Sequence, residues 1–158
     1  MSEINILKNT RYELLTPIAH PLANRFYKQS GEKGKTQSSD EVHVARSDSK
    51  IIAAVRLCPL VKGQADASNQ SDIRLLRSLA VSPEYRRLGV GSLFMEYVVA
   101  QIGSRACWCY PFSWLEGFYG QTGFKVVAPE DSPDLIRSPF ENYRRQGRDI
   151  LIMGRNIV

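Results

Sequence analysis

The sequence has no apolar run long enough to cross a membrane. A membrane-spanning helix needs about 20 consecutive apolar residues, and no segment of the 158 residues approaches that length. The first residues also lack the pattern of a secretory signal peptide. These absences predict a protein with no membrane partner and, by default, a cytoplasmic location.

Cysteine is scarce as well. There are three cysteines, an odd number that argues against the disulfide framework of a small secreted protein. Cys107 and Cys109 flank Trp108, so strand alternation would place both thiols on one face. The only histidines, His20 and His43, are distant in sequence. A metal site needs more ligands than this, so we predict buried thiols and no metal.

Two anion-binding patterns are also missing. Residues 30–40 contain two glycines and three serines, but they lack the G-x-x-x-x-G-K-[ST] spacing of a phosphate loop. We therefore interpret them as a mobile polar loop. The formal net charge of +5 comes from dispersed basic residues rather than from one long block. Nucleic acid is therefore not an expected partner.

The composition that remains is ordinary for a globular protein. Apolar residues make up 43% and charged residues 23% of the chain, which is typical of such domains. A chain of this length can bury a core without disulfides. Since no repeat and no break in composition is visible, we predict that residues 1–158 form a single domain.

The clearest structural pattern lies between Ile73 and Gly103. An apolar run predicts a buried strand that ends at Val81, before Ser82-Pro83. From Val90 onwards, apolar residues recur at helical spacing. The connecting turn carries two arginines and two glycines, and a helix start adds free N–H groups and the positive end of a dipole. We predict a site for a phosphate-bearing ligand, formed by Arg86, Arg87, Leu88, Gly89, Val90, Gly91 and Ser92.

This stretch resembles the acetyl-coenzyme A signature of the GCN5-related N-acetyltransferases (GNAT). The family pattern is Gln/Arg-x-x-Gly-x-Gly/Ala after a strand that ends in an apolar-x-Val-x-Pro segment. Arg86, Gly89 and Gly91 fill its three defining positions. Residues 118–124 are similar to the family's F-Y-x-x-x-G-F segment. The resemblance covers roughly residues 41–124.

The resemblance implies an α/β fold with one mixed, mostly antiparallel sheet, splayed between its two central strands and covered by helices on both faces. It also implies a bulge in the strand before the turn. We place the bulge near Ser78, because strict alternation would put Arg77 on an apolar face. The slot opened by the splay would offer backbone groups to the pantetheine arm, as a neighbouring strand would. Those groups belong to Leu79, Ala80 and Val81.

The implied activity is acetyl transfer from acetyl-coenzyme A to a primary amine, by direct attack in a ternary complex. Tyr119 occupies the tyrosine position of the second segment. The resemblance implies that it protonates the leaving thiolate, and a phenol with a pKa of about 10 suits that role. No sequence motif identifies a general base. Three carboxylates are candidates for that role: Asp72, Glu41 and Glu116.

The acceptor is less defined. Arg56 interrupts an apolar strand, so it either lies on a solvated face or holds a carboxylate, from the protein or from a substrate. Arg56 and Arg77 favour a small amine that bears a carboxylate, whereas a peptide or protein amine remains open. By resemblance Tyr27 lies near the acceptor, although it could equally be a core aromatic. The alternative function is a sensor that binds coenzyme A without turnover, and the protein could be a monomer or a homodimer.

Other elements follow from pattern alone. We predict strands at residues 4–7, 42–44, 51–57, 106–112, 124–127 and 150–153, and a polar connection over residues 62–72. A helix is either broken by Pro17 and Pro21 or begins at Pro21. A proline-punctuated loop is expected from Pro129 to Phe140. Where the family often has asparagine and alanine, this chain has Phe112 and Leu115, so an apolar acceptor pocket is a further hypothesis, formed by Tyr110, Phe112 and Trp114.

Overall fold

The computed structural model describes residues 8–60 and 72–157. The strand predicted at residues 4–7 and nearly all of the polar connection predicted at residues 62–72 lie outside those ranges.

Seven strands and four α-helices form the described part of the chain. The strands are β1 (Thr10–Leu15), β2 (Glu41–Ser47), β3 (Lys50–Pro59), β4 (Arg74–Val81), β5 (Cys107–Cys109), β6 (Lys125–Val126) and β7 (Met153–Arg155). The helices are α1 (His20–Gln29), α2 (Val90–Ile102), α3 (Glu116–Gly120) and α4 (Asp134–Arg145).

The strands form one mixed sheet in the order β1-β2-β3-β4-β5-β7-β6. The pairs β1/β2, β2/β3, β5/β7 and β6/β7 are antiparallel, and β4/β5 is parallel. The parallel pairing covers two positions, Arg74 with Cys107 and Leu75 with Trp108. Such a short pairing is what a sheet splayed at its centre requires. The predicted fold class is confirmed.

By residue contacts the chain divides into two compact units. The first comprises the described residues up to Cys58 together with Leu76–Gln101. The second comprises the described residues within Pro59–Leu75 and from Ile102 onwards. The expectation of a single domain stays a prediction.

In the first unit, β2 is covered on both faces. Val42 and Val44 pack into a core cluster with Phe26 and Tyr27 of α1. His43, between the two valines, points the other way and hydrogen-bonds to Tyr97 of α2 at 2.8 Å. The strand alternation of β2 therefore seats α1 on one face and α2 on the other.

The predicted bulge in β4 is present. Ser78 has a φ of +57°, in the left-handed region. Two hydrogen bonds join the ends of β3 and β4: Ser82 N donates to Ile52 O, and Leu60 N donates to Ile73 O. Between these two bonds the chain advances by nine residues on the β4 side but by eight on the β3 side. One extra residue in one strand is the definition of a bulge. Arg77 is accordingly exposed, as predicted.

A buried ion pair lies beneath the bulge. Arg56 Nε donates to Asp40 Oδ2 at 2.9 Å, and Arg56 Nη1 donates to Ser78 Oγ at 3.3 Å. The two charged side chains are 11% and 1% exposed. The carboxylate that the arginine in an apolar strand required is thus supplied within the protein.

In the second unit, β5 also separates two sets of contacts. Trp108 packs with Ile136 and Phe140 of α4. The thiols of Cys107 and Cys109 lie near Tyr119, so they share the opposite face, as alternation predicted. The three cysteines are free thiols.

The structure corrects two predictions from pattern. The helix that Pro17 and Pro21 could have broken is not formed: residues 10–15 are strand β1, and the helix begins at His20 with Pro21 in its first turn. The loop predicted up to Phe140 contains most of α4, with Pro139 inside the helix. Ile136 and Phe140, four residues apart, pack into the second core, and this burial outweighs the backbone hydrogen bond that a proline removes.

The buried ion pair between Asp40 and Arg56 should contribute to the stability of the fold. Replacing Asp40 with alanine leaves the Arg56 guanidinium buried without its counter-charge, so we expect the free energy of unfolding in urea to fall by about 3–5 kcal/mol. Asp134→Ala is the control, because it removes an exposed ion pair with Arg137 and should cost about 1 kcal/mol or less. Equal losses in the two variants would contradict the structural role of the buried pair.

Candidate active site

The turn between β4 and α2 has the backbone geometry of an anion site. Arg87 and Gly89 have φ values of +66° and +82°. A Cβ on Gly89 would meet nothing within 4 Å, so its backbone conformation, and not lack of space, calls for glycine. An arginine in the left-handed region stores strain that proteins keep mostly at functional sites.

Backbone donors converge on this turn. The N–H of Leu93 donates to Gly89 O at 3.2 Å and closes the first turn of α2. The amides just before it stand at the start of the helix, where N–H groups have no intrahelical acceptor and the dipole is positive. Arg86 and Arg87 are both exposed beside them. The arrangement can bind a diphosphate.

The turn is also tied to the strand that precedes it. Arg86 Nε donates to Val81 O at 3.1 Å. Leu79 and Val81 are half-buried, and Ala80 packs in the core with Tyr27. The ten residues predicted to bind the cofactor therefore lie in one continuous piece of the first unit, although one carbonyl of the predicted slot already accepts a hydrogen bond from the turn.

The three residues predicted at the acceptor end also come together in the first unit. Tyr27 is fully buried, and burial raises the pKa of its hydroxyl, a rise that the nearby guanidinium of Arg56 opposes. Burial raises the pKa of the Cys58 thiol to about 11, and Arg77 is near enough to oppose that rise. Tyr27, Arg56 and Arg77 thus surround one polar cluster next to the bulge.

Tyr119 belongs to the second unit. Its ring is 6% exposed and makes edge contacts with Phe118 and Phe124, at centroid distances of 5.2 and 5.8 Å. Burial, with smaller contributions from Cys109 and Cys107, raises its pKa well above that of a free phenol. Like any phenol, the hydroxyl is protonated at neutral pH, which is the state a general acid needs, and the raised pKa makes it a weaker proton donor than a free phenol.

The comparison with protein families decides the class. The model of the acetyltransferase (GNAT) domain matches residues 38–126, more than half of the chain. The chain belongs to the GNAT acetyltransferase family. The predictions of an acyltransferase, and of acetyl-coenzyme A as its acetyl donor, are confirmed at the level of the family.

Solved GNAT structures share the fold. An acetyltransferase of the GNAT family from Streptococcus pneumoniae is 13% identical with a TM-score of 0.61, over 92% of this chain and 98% of that one. The ribosomal-protein-S18-alanine N-acetyltransferase from Escherichia coli is 15% identical with a TM-score of 0.61, over 92% of both chains.

A third similar structure is larger. N-acetylglutamate synthase from Neisseria gonorrhoeae, complexed with coenzyme A and N-acetyl-glutamate, is 16% identical with a TM-score of 0.56 over 92% of this chain. This chain spans about a third of that protein, 35% of its length. No curated protein sequence matches the chain.

The GNAT chain departs from its family where predicted. Phe112 and Trp114 stack at a centroid distance of 4.7 Å and are 46% and 68% exposed. Tyr110 instead donates to Ile136 O at 2.7 Å and contacts Phe140. The three aromatic residues therefore do not form one wall, which removes the basis for the apolar pocket they were expected to shape.

Sequence analysis missed two partners in this GNAT protein. Asp40 closes the polar segment after α1, and only an unexplained arginine in an apolar strand signalled that a carboxylate was needed. Glu41, one of the open candidates for the general base, accepts from His43 Nε2 at 2.8 Å, and His43 also bonds Tyr97. No sequence signal marked this buried chain of polar groups.

Two further findings concern the described residues. None of their helices is long and apolar enough to cross a membrane. Within the same ranges, no group of three or more His, Cys, Asp and Glu side chains could hold a metal ion.

Proposed function

We propose that this GNAT acetyltransferase acetylates the primary amine of a small, carboxylate-bearing acceptor by direct attack in a ternary complex. The observation that carries the proposal is the turn itself: Arg87 and Gly89 in the left-handed region, the N-terminal end of α2 and two exposed guanidinium groups. Acetyl-coenzyme A, when bound, supplies an activated acetyl thioester.

The residues of this chain would act in three ways. Arg86, Arg87 and the amides up to Ser92 would hold the diphosphate by charge-assisted hydrogen bonds. The main-chain N–H near Leu79 would polarise the thioester carbonyl, a type of contact whose loss costs on the order of 3 kcal/mol. Tyr119, whose phenol is protonated at neutral pH, would supply the proton to the leaving thiolate.

Two guanidinium groups beside the bulge support an acceptor with a carboxylate. Arg56 is held in place by Asp40 and Ser78, and Arg77 is exposed next to Ser78. N-acetyl-glutamate in the Neisseria gonorrhoeae structure is an example of a carboxylate-bearing ligand on this fold. A peptide amine is the alternative, and the Escherichia coli enzyme that acts on ribosomal protein S18 shows that the fold admits it.

The turn can be tested through cofactor binding. Acetyl-coenzyme A binds the folded protein, so we expect it to raise the Tm of the wild type. Gly89→Glu should abolish the increase, because it places a carboxylate and a Cβ in a left-handed position at the diphosphate site. Gly117→Glu, on α3, is the matched control and should keep the full increase. A full increase in the Tm of Gly89→Glu would show that the cofactor binds elsewhere.

The proposed acid is tested by turnover. Tyr119→Phe removes one hydroxyl and leaves the ring contacts, so we expect kcat to fall about 100-fold or more, while the Kd of acetyl-coenzyme A changes by less than about threefold. Free-thiol release in the presence of an amine measures kcat. Phe118→Leu is a packing control in the same segment. Unchanged turnover in Tyr119→Phe would remove this residue from the acid role.

Acceptor class is tested with matched pairs of amines. We expect kcat/KM for L-alanine to exceed that for ethylamine by about 10- to 100-fold, because charge-assisted hydrogen bonds contribute about 1.5–3 kcal/mol. Arg77→Gln should reduce this ratio, and Arg11→Gln, at an exposed arginine of β1, should not. Tight cofactor binding with no thiol release across a broad amine panel would instead favour the sensor.

A further inference from the structure

The polar segment 30–40 is attached to the protein at several points. Glu32 N donates to Tyr27 O and Thr36 N donates to Asn24 Oδ1, both at 2.9 Å. Within the segment, Gln37 N donates to Asp40 Oδ2 at 2.8 Å. Its composition of glycine, serine and lysine offers almost nothing to a hydrophobic core. Residues 30–39 are thus held by a few hydrogen bonds, which makes them easy to displace, whereas Asp40, at the end of the segment, is anchored by its buried ion pair with Arg56.

Gly34 is the point where this segment comes closest to β4. A Cβ built on Gly34 would lie 2.7 Å from Ser78 Oγ, 2.9 Å from Ser78 Cβ and 3.6 Å from Tyr27 Cδ2. Gly34 does not have a left-handed φ. The short distance to Ser78, rather than the backbone conformation, therefore requires glycine at this position. The segment covers the bulge and the edge of the tyrosine ring only because this residue has no side chain.

An unsatisfied polar group lies beneath the segment. The Tyr27 side chain is 0% exposed, and among the residues that the structure describes its hydroxyl has no hydrogen-bond partner. Buried hydroxyls almost always have one, and leaving one unpaired is costly. The charges nearest to it include Arg56, the strongest cation acting on its ring. A hydroxyl donor and a guanidinium together suit a carboxylate.

We propose that Tyr27 and Arg56 form a carboxylate-binding pocket for the acceptor, and that residues 30–39 are its lid, shut by the contact of Gly34 with Ser78. A carboxylate oxygen would accept from the Tyr27 hydroxyl. The guanidinium carries five N–H donors, and Asp40 and Ser78 engage its Nε and Nη1, which leaves donors for the ligand. The identity of the ligand as the acceptor rests on the proposed function; the lid does not.

Cys58 reports on the lid without any need for activity. It is a half-buried free thiol near Asp40, at the end of the segment, and burial raises its pKa to about 11. Thiol reagents attack the thiolate, so Cys58 should react slowly while the lid is shut. Its rate, measured by peptide mapping after timed alkylation with iodoacetamide, is the readout, and the buried Cys107 and Cys109 are internal references.

The decisive comparison uses three variants. Gly34→Ala inserts a methyl group against Ser78, so Cys58 should be alkylated roughly tenfold faster or more. Ser78→Gly removes both atoms that the methyl would strike, and glycine tolerates the left-handed φ, so this variant should resemble the wild type. The double variant should return to within about twofold of Ser78→Gly. Equal, raised rates in Gly34→Ala and the double variant, or no change in either, would overturn the closing contact.

A second variant guards against misfolding. Asn24→Ala removes the acceptor of the Thr36 N–H, and alanine is compatible with helix α1, so alkylation should rise roughly two- to tenfold, the factor that one net hydrogen bond contributes. Lys35→Ala, at an exposed residue of the same segment, is the matched control and should leave the rate unchanged. Melting temperatures identify any variant that is unfolded. An unchanged rate in a folded Asn24→Ala protein would overturn the lid.

The ligand is tested separately with carboxylate probes. Saturating L-alanine, β-alanine or L-glutamate should slow Cys58 alkylation in the wild type, whereas ethylamine should not, and Tyr27→Phe should weaken the protection. If the carboxylates slow Cys58 alkylation but no acetyl transfer is detected, the proposed function is refuted and the proposed pocket is supported. Lack of protection by all three carboxylates would overturn the pocket, even if an amine without a carboxylate is acetylated.

Discussion

The structure depends on one irregularity, the left-handed Ser78 in the middle of β4. The extra residue turns Arg77 out to solvent and brings the Ser78 hydroxyl to the guanidinium of Arg56. A bulge leaves backbone groups without their regular partners, and such a position is stable only when neighbouring groups hold it in place. The buried Asp40–Arg56 pair and the close approach of Gly34 supply that support.

The same strand places cationic side chains in two different settings in the first unit. At its end, Arg86 bonds back to Val81, and the turn presents main-chain amides and exposed charge, which suits a diphosphate that stays partly solvated. At its bulge, the charged groups are buried and already hydrogen-bonded. Burial makes an arginine more selective, because a ligand must replace water and match the geometry of donors that cannot move.

The GNAT family model covers some of the residues discussed above and leaves others out. The GNAT model ends at residue 126, so it covers the turn and Tyr119 but not α4. Tyr119 contacts two aromatic rings and lies near two thiols, and its burial raises the pKa of the hydroxyl. The exposed Phe112–Trp114 stack stands where the family's asparagine pattern fails, and the backbone of this segment is fixed by the bond from Ser113 N to Asp149 O.

The sequence by itself determined the elements whose signals are local: the apolar strand before Ser82-Pro83, the glycine and arginine turn, the helix after it, and even the bulge, because Arg77 conflicted with strict alternation. Only the tertiary structure decided which groups meet. It supplied Asp40 to Arg56, packed a glycine of a polar segment onto Ser78, and kept Pro139 inside α4. The physical reason is that propensity and periodicity act within a few residues of the chain, whereas charge pairing and burial join residues that the sequence keeps far apart.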